Sequence, residues 1–249
     1  MSNVMRGARL MIDDAASGSW NMAVDEALLR SAAENNILTL RVYQWEPATL
    51  SLGYFQTFAS RSTHAGSSTC PVVRRATGGG AIVHDRELTY SLTAAISSRW
   101  NRQASAWYDV VHEAWVTTLA QYGIPGSLCP QTDPRRESQF LCFQRRSAGD
   151  LLLAGHKIGG SAQRRHRAAA LQHGSLLLAA SPAAPELPGI AELAEQELRL
   201  ERWRDQWIEQ VGRSLGVAWE LTGLTAAERQ LARELQANKF TGENWTLRR

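Results

Sequence analysis

Three stretches of the sequence carry residues whose types and spacing suit chemistry. In Arg74-Arg75-Ala76-Thr77-Gly78-Gly79-Gly80-Ala81-Ile82-Val83-His84-Asp85, a glycine triplet lies between two strand-like runs, flanked by an arginine pair and a His-Asp pair. Three adjacent residues without side chains let the backbone reach positive φ, approach a ligand closely and present its N–H groups. The triplet matches neither the dinucleotide fingerprint nor the Walker phosphate loop. Taken alone it reads equally as a wide hairpin loop. In Gly155-His156-Lys157-Ile158-Gly159-Gly160-Ser161-Ala162-Gln163-Arg164, a lysine precedes two glycines inside a strand-like run. Glycines there weaken a strand and usually mark the close approach of a backbone or ligand, which turns Lys157 toward a crowded pocket. A surface lysine beside a bulge is the plainer reading. In Leu171-Gln172-His173-Gly174-Ser175-Leu176-Leu177, a histidine interrupts an apolar strand, where it is more often a satisfied core residue than a catalyst.

The three cysteines, Cys70, Cys129 and Cys142, are too few and too scattered for a disulfide framework. None forms the close Cys/His pairs of zinc sites, so no metal is expected. Cys142 sits in Phe140-Leu141-Cys142-Phe143, and a cysteine among such neighbours is most often a small buried hydrophobe. The formal charge is +3, with local clusters at Arg135-Arg136, Arg145-Arg146 and Arg164-Arg165-His166-Arg167. Without interleaved aromatics or a nucleic-acid motif, such clusters point to a solvated surface or an acidic protein partner rather than to nucleic acid. No window approaches about eighteen consecutive apolar residues, and Met1 to Leu10 lacks the order of a secretion signal. Neither a membrane span nor export is expected, and the cytoplasm is the default address.

Elements able to position these strings follow from periodicity. Met22, Ala23, Leu28 and Leu29 recur at helical spacing in Asn21 to Glu34, with Ser19 as the expected cap. From Leu38 the period is two, Leu38, Leu40 and Val42 alternating with Thr39, Arg41 and Tyr43. Strand-like runs recur at Thr49 to Tyr54, Pro71 to Arg74, Ala81 to His84 and Leu88 to Ile96. A helix is expected from Ser105 to Tyr122, with Trp107, Val110, Val111, Ala114, Trp115 and Leu119 as its core face. A polar loop, Pro130 to Gln139, precedes strands at Asp150 to Leu153, Lys157 to Arg164 and Ala168 to Leu178. Pro185 to Asn238 reads as helices. With no long linker or repeat, residues 1–249 are expected to form a single α+β domain, a mixed sheet flanked by helices, with a helical tail from about residue 185.

Together these strings resemble the lipoate-protein ligase and octanoyltransferase superfamily. Its signatures are an Arg-Arg-x-x-Gly-Gly-Gly loop ending in His-Asp and a lysine in a Gly-x-Lys-[IV]-x-Gly-Ser-Ala-x-x-Arg strand. The resemblance covers residues 10 to 180 and extends to Asn21-Met22-Ala23-Val24-Asp25-Glu26, to Leu40 to Tyr54 and to Gln172-His173-Gly174-Ser175; Lys239-Phe240 and Trp245 look like the segment closing the catalytic domain. It implies the mixed-sheet fold shared with biotin ligases. It also implies that the Gly78, Gly79 and Gly80 loop lines an acyl channel, with Arg74, Arg75, His84, Gly159, Gly160, Ser161 and His173 as further substrate-binding positions. Lys157 would reach the acyl carbonyl or its activating group.

Within that superfamily, ligases adenylate free lipoate with ATP, whereas octanoyltransferases pass octanoate from acyl carrier protein through an enzyme thioester. Cys142 precedes Lys157 by fifteen residues. It looks like the loop cysteine of the octanoyltransferases with ligase-type sequence, which makes Cys142 and Lys157 the expected catalytic pair. A thiol must be partly ionised to attack a thioester, and an ammonium beside it favours that form. The short octanoyltransferases that place their cysteine after the lysine strand are disfavoured. Single-chain ligases usually carry an accessory domain, and here a helical tail follows Leu178, which also favours transfer. The resemblance then implies octanoyl-acyl carrier protein as donor, the glycine-cleavage H protein or another lipoyl domain as acceptor, no cofactor, and a monomer. ATP and magnesium enter only if the chain is an ATP-dependent lipoate ligase. A non-catalytic paralogue that binds an acyl group or a lipoyl domain is the remaining alternative.

Overall fold

The computed structural model describes residues 8–96, 106–133, 139–195 and 199–248. Arg135-Arg136 and the expected helix start at Ser105 lie outside them. The chain runs through β1 (Ala8–Ile12), α1 (Gly18–Asn35), β2 (Leu38–Tyr43), β3 (Thr49–Leu52), β4 (Val72–Arg74), β5 (Ile82–His84) and β6 (Glu87–Ala95). It continues with α2 (Ala106–Ala120), β7 (Ser127–Leu128), β8 (Leu151–Leu153), β9 (His156–His166) and β10 (Ala169–Leu177). After α3 (Ile190–Ala194) and α4 (Leu200–Leu215) come β11 (Glu220–Leu221), α5 (Ala226–Leu235) and α6 (Glu243–Thr246).

An eight-stranded mixed sheet has the order β11-β1-β2-β6-β10-β9-β8-β7. β1 runs parallel to β2 and β11, and the other neighbours are antiparallel. Every residue of β2, β6 and β10 is buried, because helices cover both faces of the sheet. On one face, Leu38, Leu40 and Val42 of β2 pack with Trp107, Val111 and Trp115 of α2 and with Trp203 and Trp207 of α4. The Trp115 and Trp207 rings stack with centroids 4.8 Å apart. Each such large apolar side chain, fully buried, contributes about 1.5–3 kcal/mol. On the other face, Met22, Ala23, Ala27 and Leu28 of α1 pack with Ala232 and Leu235 of α5 and with Tyr43. The alternation in β2 therefore separates two buried faces, and Arg41, on the α1 side, is only 1% exposed.

Several expectations shift locally. α1 is capped by Ser17, not Ser19: the Ser17 hydroxyl accepts from the Trp20 N–H at 3.4 Å, and the helix begins at Gly18. A Cβ at Gly18 would lie 2.8 Å from both Thr49 and Trp45, so the tight seat against β3 fixes where the helix starts. The C-terminal quarter is not wholly helical, since β11 joins the free edge of β1 through residues 220–221. β1, β7 and β11 are too short to print a period.

A second sheet, β4-β3-β5, stands apart from the main one. β3 is parallel to β4 and antiparallel to β5, and the glycine triplet forms the connection from β4 to β5. The small sheet thereby holds the glycine loop opposite β9 and β10.

Candidate active site

A cavity of about 530 Å³ lies between the two sheets. Gly78, Gly79 and Gly80 line one wall, and Lys157, Gly160, Ser161 and His173 line the opposite one. Arg75 keeps the glycine loop in shape. Its guanidinium is buried and donates to the carbonyls of Ser51 (3.0 Å), Gly78 (2.8 Å) and Gly80 (2.6 Å). Burial depresses the Arg75 pKa to about 10, against the favourable influence of Cys142 and with that of Arg145. Gly79 has φ +94°, a conformation side chains rarely adopt, and a Cβ on Gly80 would lie 2.9 Å from the Cys142 amide. The loop thus requires glycine both for its turn and for the approach of the cysteine segment.

Cys142 opens a single 3₁₀ turn, Cys142–Gln144. Its N–H donates to the Ala81 carbonyl at 2.7 Å, while the Ala81 N–H donates to the Phe140 carbonyl at 2.9 Å. The cysteine segment is therefore registered against the residue that follows the glycine triplet. Its Sγ lies 3.8 Å from Lys157 Nζ, and both line the cavity. Cys142 is partly exposed, whereas Cys70 and Cys129 are buried and line no part of this cavity. Burial pushes the Cys70 thiol pKa up.

Lys157, at the start of β9, is 7% exposed, and its ammonium pairs with Asp150 Oδ2 at 2.8 Å. Gly160 makes this possible, because a Cβ there would lie 2.6 Å from Lys157 Cε and 3.2 Å from Asp150 Oδ1. Burial disfavours the charge on Lys157, but Cys142 and Asp150 outweigh it and hold the pKa above the usual lysine value. Asp150 also accepts from the Tyr108 hydroxyl at 2.6 Å and from the Ser147 N–H at 2.6 Å. Burial, with the Asp150 charge added, pushes the Tyr108 pKa far up, so the phenol stays a donor.

The other expected residues divide. His173 lines the cavity, its Nδ1 3.3 Å from Asp25 Oδ2 and its Nε2 2.6 Å from Thr77 Oγ1 at the root of the glycine loop. Ser161 lies within hydrogen-bond distance of His112 Nε2 (2.6 Å) and of the Tyr90 hydroxyl. His84 lines the cavity, stacked on Trp45 at 3.8 Å and held between Ser51 Oγ (2.8 Å) and Glu87 Oε1 (2.6 Å). Burial keeps the His84 pKa below the ordinary imidazole value despite Glu87. Arg74 and Gly159 lie outside the cavity lining. Arg74 donates to the carbonyls of Gly53, Gln56 and Thr246, joining the small sheet to α6, and a Cβ on Gly159 would press Leu151 at 3.0 Å. Asp150 and Tyr108, which sequence reasoning did not single out, stand at the centre of the site. Among the described residues there is no His/Cys/Asp/Glu group suited to a metal, and no helix long and apolar enough to cross a membrane.

A glycine-walled cavity with a cysteine–lysine pair, set between a small sheet and a mixed main sheet, can be compared with known proteins. Residues 17–201 match the lipoyl protein ligase A/B catalytic domain, and the chain belongs to that family and is an acyltransferase. It is 32% identical to octanoyltransferase LipM of Kyrpidia tusciae over 98% of this chain and 100% of that protein. It is 36% identical to octanoyltransferase LipM of Bacillus subtilis over 66% of this chain and 62% of that one. Among solved structures, lipoate-protein ligase A bound with ATP superposes with a TM-score of 0.79 at 22% identity, over 97% of this chain and 99% of that chain. The ligase of a bi-partite lipoylation system from Thermoplasma acidophilum superposes with a TM-score of 0.77 at 20% identity, over 98% and 97%. At these identities the structural likeness bears on the fold.

Proposed function

We propose that this chain transfers an octanoyl group from octanoyl-acyl carrier protein, by way of a thioester on Cys142, to a lysine of a lipoyl-acceptor protein in lipoate biosynthesis. The observation that carries the reading is the ammonium of Lys157 3.8 Å from the sulfur of Cys142, on a shared cavity. The LipM relatives support the octanoyl group as cargo. In the first half-reaction the Cys142 thiolate attacks the donor carbonyl, the carrier's C–S bond breaks, and the electron pair leaves on the carrier's sulfur. In the second, the uncharged acceptor amine attacks the Cys142 thioester. A C–N bond forms, the C–S bond breaks, Cys142 regains its electron pair, and the amine's proton passes to solvent. The first step exchanges like bonds and the second forms a stronger amide, so neither ATP nor magnesium takes part. The glycine-cleavage H protein or another lipoyl domain supplies the acceptor lysine.

Intact mass spectrometry tests this directly. Incubated with octanoyl carrier protein alone, the wild type should gain one octanoyl group, which hydroxylamine or a lipoyl domain removes. Modification of the acceptor that requires free acid and ATP, without an enzyme adduct, would instead identify a ligase.

A further inference from the structure

We infer that Asp150 is the positioning residue that holds Lys157 in place as an ammonium through the acyl-enzyme stage, when the thiolate beside it has been consumed. This rests on the thioester reading of Cys142. Lys157 has two partners of opposite charge, and they behave differently during a turnover. Cys142 attacks as a thiolate and is uncharged once acylated, because its electron pair has become the C–S bond to the acyl group. Asp150 takes no part in either bond change, and its pairing with Lys157 at 2.8 Å does not depend on whether the acyl group is present. Lys157 lies in a setting where burial works against its charge, and that opposition is unrelieved by Cys142 once the acyl group is on. Among the described residues, the carboxylate 2.8 Å away then remains to balance it.

Asp150 is held still by its surroundings. Its side chain is 1% exposed, Oδ1 accepts from Tyr108 of α2, and Oδ2 accepts from the Ser147 N–H as well as from Lys157. The titratable groups facing Lys157 are Cys142 on its 3₁₀ turn and Asp150 before β8, with Tyr108 and His112 of α2 behind the carboxylate. Burial, with the Lys157 charge acting in the same sense, lowers the His112 pKa, and an imidazole in either protonation state supplies no negative charge to replace Asp150. The ammonium is needed again in the second half-reaction. There it stabilises first the negative charge developing on the attacked thioester and then the Cys142 thiolate as it leaves.

The test separates the two half-reactions by pH. Asp150→Asn keeps size and removes charge. With octanoyl carrier protein as donor, adduct formation should slow by no more than about threefold, since the thiolate still supports Lys157. With a lipoyl domain as acceptor, discharge of the adduct should slow at least about tenfold at pH 8.5. Its rate should stop rising at least about one pH unit below the wild-type turnover point. Asp150→Glu, which restores the carboxylate, should return that point toward the wild-type pH even if the rate remains lower, and it carries the test if the asparagine variant fails to fold. Equal slowing of both halves with unshifted profiles, or a shift that Asp150→Glu fails to reverse, would assign Asp150 to packing alone and overturn the inference. Absence of any wild-type adduct would instead sink the thioester reading, a separate result.

Discussion

Two buried acid–base clusters adjoin the cavity, one through His173 and one directly, and they are wired differently. In one, Asp25 of α1 accepts from Arg41 (2.9 Å), Ser91 (2.8 Å) and Tyr43 (2.8 Å) and lies 3.3 Å from His173. Arg41 spends its remaining donors on Asp13 and Asn21, so both charges meet fixed protein partners. In the other, Asp150 is as deeply buried and also bonded on both oxygens, but its lysine faces a cysteine that opens onto a cavity. A saturated pair fastens α1 to β2. A pair with one partner whose charge can change is a place where chemistry can occur. Burial and pairing alone do not distinguish them; the unsaturated side does.

The sharpest way to break that contrast is at the sulfur. Cys142→Ala should abolish both the octanoyl adduct and transfer, a loss of at least about 10³-fold, while Cys70→Ala and Cys129→Ala retain both. Equal adduct formation by Cys142→Ala and wild type would place the nucleophile elsewhere. Next comes Lys157→Ala, expected to lower turnover by about 10²–10⁴-fold. Its melting temperature should fall less than that of an Asp25 variant, because Asp150 keeps the Tyr108 hydroxyl and the Ser147 N–H beside a cavity that admits water. Lys157→Arg should rescue poorly, since the planar guanidinium does not fit the space that Gly160 provides for a point charge. Near-normal turnover in a folded Lys157→Ala protein would remove the lysine from the mechanism.

What the sequence disclosed, and what it hid, follows the same division. The glycine triplet, Lys157 and Cys142 were legible because each lies in a short contiguous string whose composition is unusual for the element carrying it. In the sequence Asp150 is the first residue of an expected strand, and Tyr108 stands off the apolar face of an expected helix. Nothing local marks them, because their contact spans 42 residues and exists only once α2 lies over β8. Arg74 and Arg75 looked alike as a pair. At the end of β4, successive side chains point opposite ways, so Arg75 enters the glycine loop while Arg74 turns to α6. The two-layer burial of β2 likewise hid the Asp25–Arg41 pair inside what reads as an ordinary alternating strand.

The Asp25 cluster should answer in stability first. Asp25→Asn leaves Arg41, 1% exposed, with the partly exposed Asp13 as its remaining acidic partner among the described residues, and should cost about 3–5 kcal/mol by thermal or urea unfolding. Turnover per folded molecule should change by less than about tenfold, far less than for Lys157. Burial disfavours the Asp25 carboxylate, but His173, Arg41 and Tyr43 outweigh it and lower its pKa. A lowered carboxylate pKa contributes stability that is complete above the unfolded value of about 3.9 and is lost as pH falls through the folded value. The acid limb of the wild-type melting profile, below about pH 4, should therefore be steeper than that of Asp25→Asn. Parallel profiles would mean that Asp25 does not carry the charge on which this cluster depends.

The smallest expected effect concerns how the acceptor arrives. Arg145 and Arg146 line the cavity, and Arg164 donates to the Ala76 carbonyl at 2.9 Å beside the glycine loop, so positive charge surrounds the approach to Cys142. If the acceptor domain is acidic, these charges raise its encounter rate without taking part in bond making, and exposed steering of this kind weakens with salt. Discharge of the octanoyl adduct at subsaturating lipoyl domain should slow by about three- to tenfold between low and high ionic strength. Discharge by hydroxylamine, a small uncharged amine nucleophile that needs no steering, should be nearly unaffected and serves as the internal control. Arg146→Ala should flatten the salt dependence with the lipoyl domain without removing the adduct. A discharge rate independent of salt for both nucleophiles would mean that the basic rim plays no part in recruitment.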